Sequence, residues 1–291
     1  AETVNGTLNW IDLGFFSIQP SELVKIAFIL VGAVSLDKLL SITSLTRYII
    51  FSLGCVGALF LMKDFGTALI FFFTFILIAF MRSGNIRTIV LICAVALMGA
   101  MLVIYFKPYV ANRFAAYRHV WDYIDTTGYQ QARVLIYTSS GGLFGLGLGE
   151  GKLRDVYAAS TDLVFGLICE EMGIILGIAV LLSFAGIALF AIKSAKSSAS
   201  TFYAIAAVAS AGMLLFQLSL NVFGITDLLP LTGVTLPFVS RGGSSMLCSW
   251  GLLAYIRAAG APFSPPKPDI AIKKPAPRKV NPPTVKGGGA K

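Results

Sequence analysis

The sequence predicts an all-α polytopic membrane protein. Three observations predict it: 56% of the 291 residues are apolar against 13% charged, mean hydropathy is +0.81, and seven apolar stretches are long enough to cross a bilayer. A bilayer core needs about 20 apolar residues as helix, with shorter or tilted variants allowed. The stretches run Pro20 to Leu36, Tyr48 to Met62, Thr67 to Met81, Thr88 to Phe106, Ile174 to Ile192, Thr201 to Phe223 and Ser244 to Ala259. They make one membrane domain, residues 1–261, including a long loop at 107–161. Residues 262–291 are rich in Pro and Lys and lack apolar periodicity, which predicts a disordered basic cytoplasmic tail held near anionic lipid.

Lys and Arg gather in the short cytoplasmic loops of membrane proteins. With the first span running inward, fourteen cations are cytoplasmic, seven of them in the tail, and eight are outside. The long loop then lies on the outer face, where its length points to function. The chain opens Ala1-Glu-Thr-Val-Asn-Gly without the pattern of a signal peptide, and this orientation puts Ala1 outside, so an odd number of earlier spans is expected upstream. Cys55, Cys93, Cys169 and Cys248 stand singly in apolar surroundings and read as small core residues.

Ionisable groups at membrane depth are costly and face a cavity or each other. Glu22 and Lys25 follow Gln19-Pro20-Ser21; Pro suits a first helical position and an acid its positive end. Spaced by three, they share one helical face and can pair; a helix-start acid beside a lysine that snorkels to the interface is the alternative. Asp162, Glu170 and Glu171 precede Gly173 in a stretch too long for one crossing, so a break at Gly173 is expected, with a short helix before it capped by Thr161 or Asp162. Between Gly141 and Gly151 six of eleven residues are glycine. The run matches neither GxGxxG nor a P-loop, and it suits close approach to a phosphate or sugar as well as a tight loop between helices. Asp64-Phe65-Gly66 resembles a kinase metal triplet by chance, and His119, in a polar loop, has no neighbouring metal ligands.

Several segments in order resemble the SEDS family (shape, elongation, division and sporulation; RodA/FtsW-like). They are Asn9-Trp-Ile-Asp-Leu-Gly14, Ser17-Ile-Gln-Pro-Ser-Glu-Leu-Val-Lys25, Asp64-Phe-Gly-Thr67, Pro108-Tyr109 with Asn112-Arg113-Phe114, and Gly128-Tyr-Gln130. The glycine-rich run, Thr161-Asp162, Leu228 to Ser240 and Gly242-Gly-Ser-Ser245 complete the series. The chain departs from the family pattern at Asn9, Lys63, Leu163 and Arg241.

The resemblance implies a SEDS-type helical bundle of ten spans, of which about the first three are absent here. It implies a peptidoglycan glycosyltransferase that polymerises lipid II on the outer face of the bacterial plasma membrane, with a class B penicillin-binding protein as partner. Asp162 matches the catalytic aspartate, a general base for the acceptor hydroxyl. Arg113, with Lys25 or Arg241, is expected at the departing pyrophosphate, and Glu22, Gln130 and Ser244 complete the expected substrate contacts. Mg²⁺ or Mn²⁺ is a possible counter-ion, although no dedicated ligand cluster is visible. A lipid II flippase and an inactive scaffold for the penicillin-binding protein are the alternatives.

Overall fold

Lipid offers the backbone no hydrogen-bond partner, so the apolar stretches must satisfy their own N–H and C=O groups as helices. The computed structural model describes residues 2–4, 7–12, 17–37, 42–84, 86–87, 90, 93–94, 97, 117–124, 126 and 128–261. Within them lie three short strands, β1 (Glu2–Val4), β2 (Thr7–Asp12) and β3 (Ser17–Ile18). Seven α-helices follow: α1 (Pro20–Asp37), α2 (Ile42–Leu61), α3 (Phe65–Ser83), α4 (Tyr129–Ser140), α5 (Val164–Ser197), α6 (Thr201–Ile225) and α7 (Gly243–Ala259). Six of the seven expected spans are these helices other than α4, and α3, α5 and α6 are long and apolar enough to cross a membrane by length and composition. The expected span Thr88–Phe106 lies largely outside the described residues, and α4 belongs to the long loop. Ala1–Ala261 is one compact unit; the second, Pro262–Lys291, where a basic tail is expected, also lies outside them.

The strands form a small antiparallel sheet, β1-β2-β3, pairing Val4 with Thr7 and Ile11 with Ile18. Its strands are too short to register against the long apolar stretches, and the sequence reading did not anticipate it.

Helix α6 is the centre of the bundle: 72% of its most apolar window is buried, against 17% for α5. Small residues make this possible, because buried Ala206, Ala207, Ser210 and Ala211 let α1, α3, α5 and α7 approach its backbone. Phe73 of α3 stacks on Phe216 with ring centroids 4.2 Å apart. From Met172 to Ile192 the large exposed side chains of α5 are apolar, among them Ile175, Leu182 and Leu189, as a lipid-facing surface requires.

Helix α5 breaks at Gly173, whose φ of 84° lies in the region that favours glycine. The caps expected from Thr161 or Asp162 do not form: the first helical half starts after Leu163, without a side-chain cap. The break frees backbone groups on both sides, and the glycine-rich loop supplies their partners. Leu146 and Gly147 donate N–H groups to the carbonyls of Glu170 and Glu171, at 2.9 and 3.0 Å. In return, Ile174 and Ile175 donate to the carbonyls of Gly142 and Leu143, at 3.0 and 3.4 Å. A side chain at Gly173 would meet the Leu143 carbonyl oxygen at 2.2 Å, whereas one at Gly186 in the same helix would meet nothing within 4 Å.

Gly173→Ala is therefore expected to lower the thermal unfolding temperature in detergent, since it combines backbone strain of about 1–3 kcal/mol with a backbone clash. Gly186→Ala should leave that temperature unchanged or slightly raised. Equal effects of the two substitutions would show that the break carries no special constraint.

Candidate functional site

A cavity of about 280 Å³ opens among the N-terminus of α1, the turn between α2 and α3, residues 157–162 and the irregular segment joining α6 to α7. Its walls include Glu22, Asp64, Asp162 and Arg241, so charge of both signs converges in a molecule with little charge elsewhere at membrane depth.

One wall is a hydrogen-bonded chain running across four elements. Lys25 Nζ lies 2.7 Å from Glu22 Oε1 and 3.0 Å from Gln217 Oε1, with both ionic side chains almost completely buried. The pair therefore forms, and Lys25 is not a snorkelling surface group. The Gln217 amide donates to the Thr235 carbonyl at 2.8 Å, and Thr235 Oγ1 is 2.9 Å from Ser245 Oγ. One turn along α6, Asn221 Nδ2 donates to Val234 O and to Asp162 O, at 2.7 and 2.8 Å. Two amides on one face of α6 thus hold the non-helical backbone of residues 234–235 and the loop that carries Asp162.

Asp162 is fastened through its backbone and leaves its carboxylate to the cavity. Its N–H donates to Ala158 O at 3.0 Å, the Ser240 hydroxyl donates to Thr161 O, and the Arg241 N–H donates to Ser160 O at 2.9 Å. Gly233, at φ 71°, lies against the carboxylate, where an added Cβ would stand 3.3 Å from Oδ2. Burial pushes the Asp162 carboxyl from its ordinary 3.8 up to about 6; the Thr161 hydroxyl opposes this and the charge of Asp64 adds to it. Asp64 is also raised, mainly by burial, although its Oδ1 caps α3 by accepting the Thr67 N–H at 3.0 Å. Asp64 and Asp162 sharing one cavity, with Asp162 titrating near neutrality, is an arrangement suited to proton transfer.

Four of the residues singled out from sequence line this cavity: Asp162, Glu22, Arg241 and Ser244. Lys25 sits behind Glu22, outside the lining. Gln130 is also outside it: its Nε2 donates to the Tyr157 carbonyl at 2.8 Å, tying α4 to the loop ahead of Asp162. Arg113 lies outside the described residues. His119 is exposed beside Asp122, and no group of three His, Cys, Asp or Glu side chains converges among the described residues. The glycine-rich run does not border the cavity.

Sequence reasoning placed Asp64 in a family-like segment without giving it a site role, and it missed Thr232, whose buried hydroxyl lacks a partner among the described residues. It missed Gln217 and Asn221 as well. Their signal was present: two amides four apart in an otherwise apolar helix share a face and need partners.

Removing one member of the Glu22–Lys25 pair leaves a buried charge uncompensated. Lys25→Met is expected to cost about 3–5 kcal/mol of stability, and Lys25→Met with Glu22→Gln less than the two single effects combined. Thermal unfolding of the four proteins in one detergent measures the coupling, and strict additivity would remove it.

The model of the cell cycle protein family FtsW/RodA/SpoVE matches residues 1–260. Stage V sporulation protein E of Bacillus subtilis (strain 168) is 35% identical over 262 residues, covering 87% of this chain and 72% of the relative. The probable peptidoglycan glycosyltransferase FtsW of Wigglesworthia glossinidia brevipalpis is 32% identical over 264 residues, covering 87% and 69%. Among solved structures, a peptidoglycan synthase complex that coordinates polymerization and crosslinking contains a chain of similar fold. It has a TM-score of 0.69 and 26% identity, covering 89% of this chain and 74% of that one. With a match running from the first strand to the end of α7, this chain belongs to the FtsW/RodA/SpoVE family.

Proposed function

We propose that this chain is a peptidoglycan glycosyltransferase that polymerises lipid II on the outer membrane face, with Asp162 as general base. The carrying observation is a carboxylate with a raised pKa of about 6, held by its backbone at the wall of a charged cavity. The excess of cations on the opposite face supports the outer location. The name of the FtsW relative, a probable peptidoglycan glycosyltransferase, supports the reaction class.

In this reading the acceptor 4-hydroxyl oxygen forms a bond to the donor's anomeric carbon while the bond from that carbon to the pyrophosphate oxygen breaks. The configuration inverts. The hydroxyl proton passes to an Asp162 oxygen, and the electron pair leaves with the polyprenyl pyrophosphate. Arg241 and the N–H groups at the start of α7, beside Ser244, offer positive charge to that leaving group. Arg113 is a further candidate for the same phosphate. Asp64, on the cavity wall, would help hold any Mg²⁺ or Mn²⁺, which would neutralise charge on the departing pyrophosphate; no cluster of three protein ligands is formed among the described residues. Lys25 orients Glu22 and keeps that wall of the cavity in place. A class B penicillin-binding protein is the proposed partner, by analogy with the synthase complex that couples polymerization to crosslinking.

The test is polymerisation of purified lipid II by wild type and Asp162→Asn, with and without the partner. Asparagine keeps the shape but accepts no proton, so a loss of roughly 10²-fold or more is expected. Wild-type polymerisation by a folded Asp162→Asn protein would overturn the assignment; lipid II translocation that persists without polymerisation by either protein would instead favour a flippase.

The wild-type rate should fall as pH drops through about 6, where Asp162 gains its proton. Stability has the opposite dependence. A carboxyl with a raised folded pKa contributes stability that is full below the ordinary 3.8 and lost as pH rises past about 6. Asp162→Asn removes that dependence, so the variant should be at least as stable as wild type at pH 8 when both are melted across the range.

A further inference from the structure

The glycine-rich run is a sequence signal that the candidate cavity does not absorb. Its backbone is committed to the broken ladder of α5 on both sides of Gly173, which fixes it beside residues 170–175. Its side chains remain uncovered: Leu143, Phe144, Leu146 and Leu148 are all exposed, Phe144 at 81%. From Val134 to Gly149 the chain carries no charged side chain. The exposed apolar surface of α5 begins at the same level with Met172, Ile174 and Ile175 and continues along the span.

We propose that the loop Gly141–Gly149 is seated in the lipid leaflet on the long-loop side, with Phe144 and Leu148 as its apolar anchors. Three requirements for lipid contact meet here. The side chains are apolar and uncharged. The N–H groups of Gly145, Leu146 and Gly147 and the carbonyls of Gly141, Gly142 and Leu143 are hydrogen-bonded to protein, which lowers the cost of non-helical backbone at membrane depth. The patch is continuous with the lipid-facing surface of α5, so a solvent-exposed loop would leave a large apolar patch in water beside a surface already in lipid. A phosphate or sugar ligand fits poorly. The N–H groups of Gly145, Leu146 and Gly147 that would receive it are already donated to carbonyls. This role is independent of the glycosyltransferase reading, since none of these residues borders the cavity.

The test uses the full chain in liposomes, with Trp introduced as Phe144→Trp or Leu148→Trp and the wild-type emission of the native tryptophans subtracted. The added emission is expected to be blue-shifted, to be quenched by phospholipids brominated high on the acyl chain, and to be shielded from aqueous acrylamide. Acrylamide quenching without bromolipid quenching would overturn the proposal. So would bromolipid quenching that disappears when a co-purified partner protein is bound, because the patch would then be a protein interface. Circular dichroism and thermal unfolding of each variant identify the folded samples on which the quenching is read. Should Phe144→Trp fail to fold, the more conservative Phe144→Tyr, probed by deuterium exchange of the loop in matched detergent and liposome samples, gives the same decision. Added protection in liposomes supports seating in lipid, and equal exchange overturns it.

Discussion

The governing constraint is that a backbone placed in lipid must find its hydrogen-bond partners within the protein. Continuous helices meet it along their length, so two interruptions are the informative places: the break at Gly173 and the irregular segment between α6 and α7. At Gly173 the glycine-rich loop exchanges four backbone hydrogen bonds with the severed ladder of α5. Between α6 and α7, Gln217 and Asn221 hold the carbonyls of Thr235 and Val234, and Ser240 receives the Leu236 N–H at 2.7 Å. Each interruption is thus matched by a dedicated set of donors and acceptors.

Those same repairs build the cavity. Asn221 satisfies the carbonyls of Val234 and Asp162 with one amide group, so the irregular segment and the loop that carries Asp162 are joined through one side chain on a deeply buried helix. Gln217 does the equivalent for Thr235 and Lys25, joining the irregular backbone to the Glu22 pair. Glu170 accepts the N–H groups of Lys152 and Leu153, at 2.8 and 2.9 Å, and so holds the loop upstream of Asp162 to the first half of α5. Since these bonds are buried or part-buried, small shifts would leave polar groups unpaired, which makes the arrangement rigid.

Rigidity at the walls contrasts with unspent capacity at the centre. The Asp162 carboxylate is not used as a helix cap, and the Thr232 hydroxyl has no partner among the described residues. Side chains that face a cavity without a structural duty are available for chemistry, and burial raises the pKa of the Asp162 carboxyl.

Most of the helical layout was legible in the sequence, because apolar length is a local property that lipid converts directly into helix. The break at Gly173 and the pairing of Glu22 with Lys25 were legible for a similar reason: residue type and a spacing of three suffice to state them. Other features required the tertiary structure. That Asp64 shares a cavity with Asp162, that Gln130 ties down a loop, and that the glycine-rich run completes a helix instead of cradling a ligand all depend on segments far apart in sequence. The amides of Gln217 and Asn221 announced a need for partners, but only the fold decided which. The sequence by itself therefore determined where this chain is helical and which polar groups had to be reconciled with lipid. The tertiary structure decided how they were reconciled, because a buried hydrogen bond is chosen by distance in space and not by spacing along the chain.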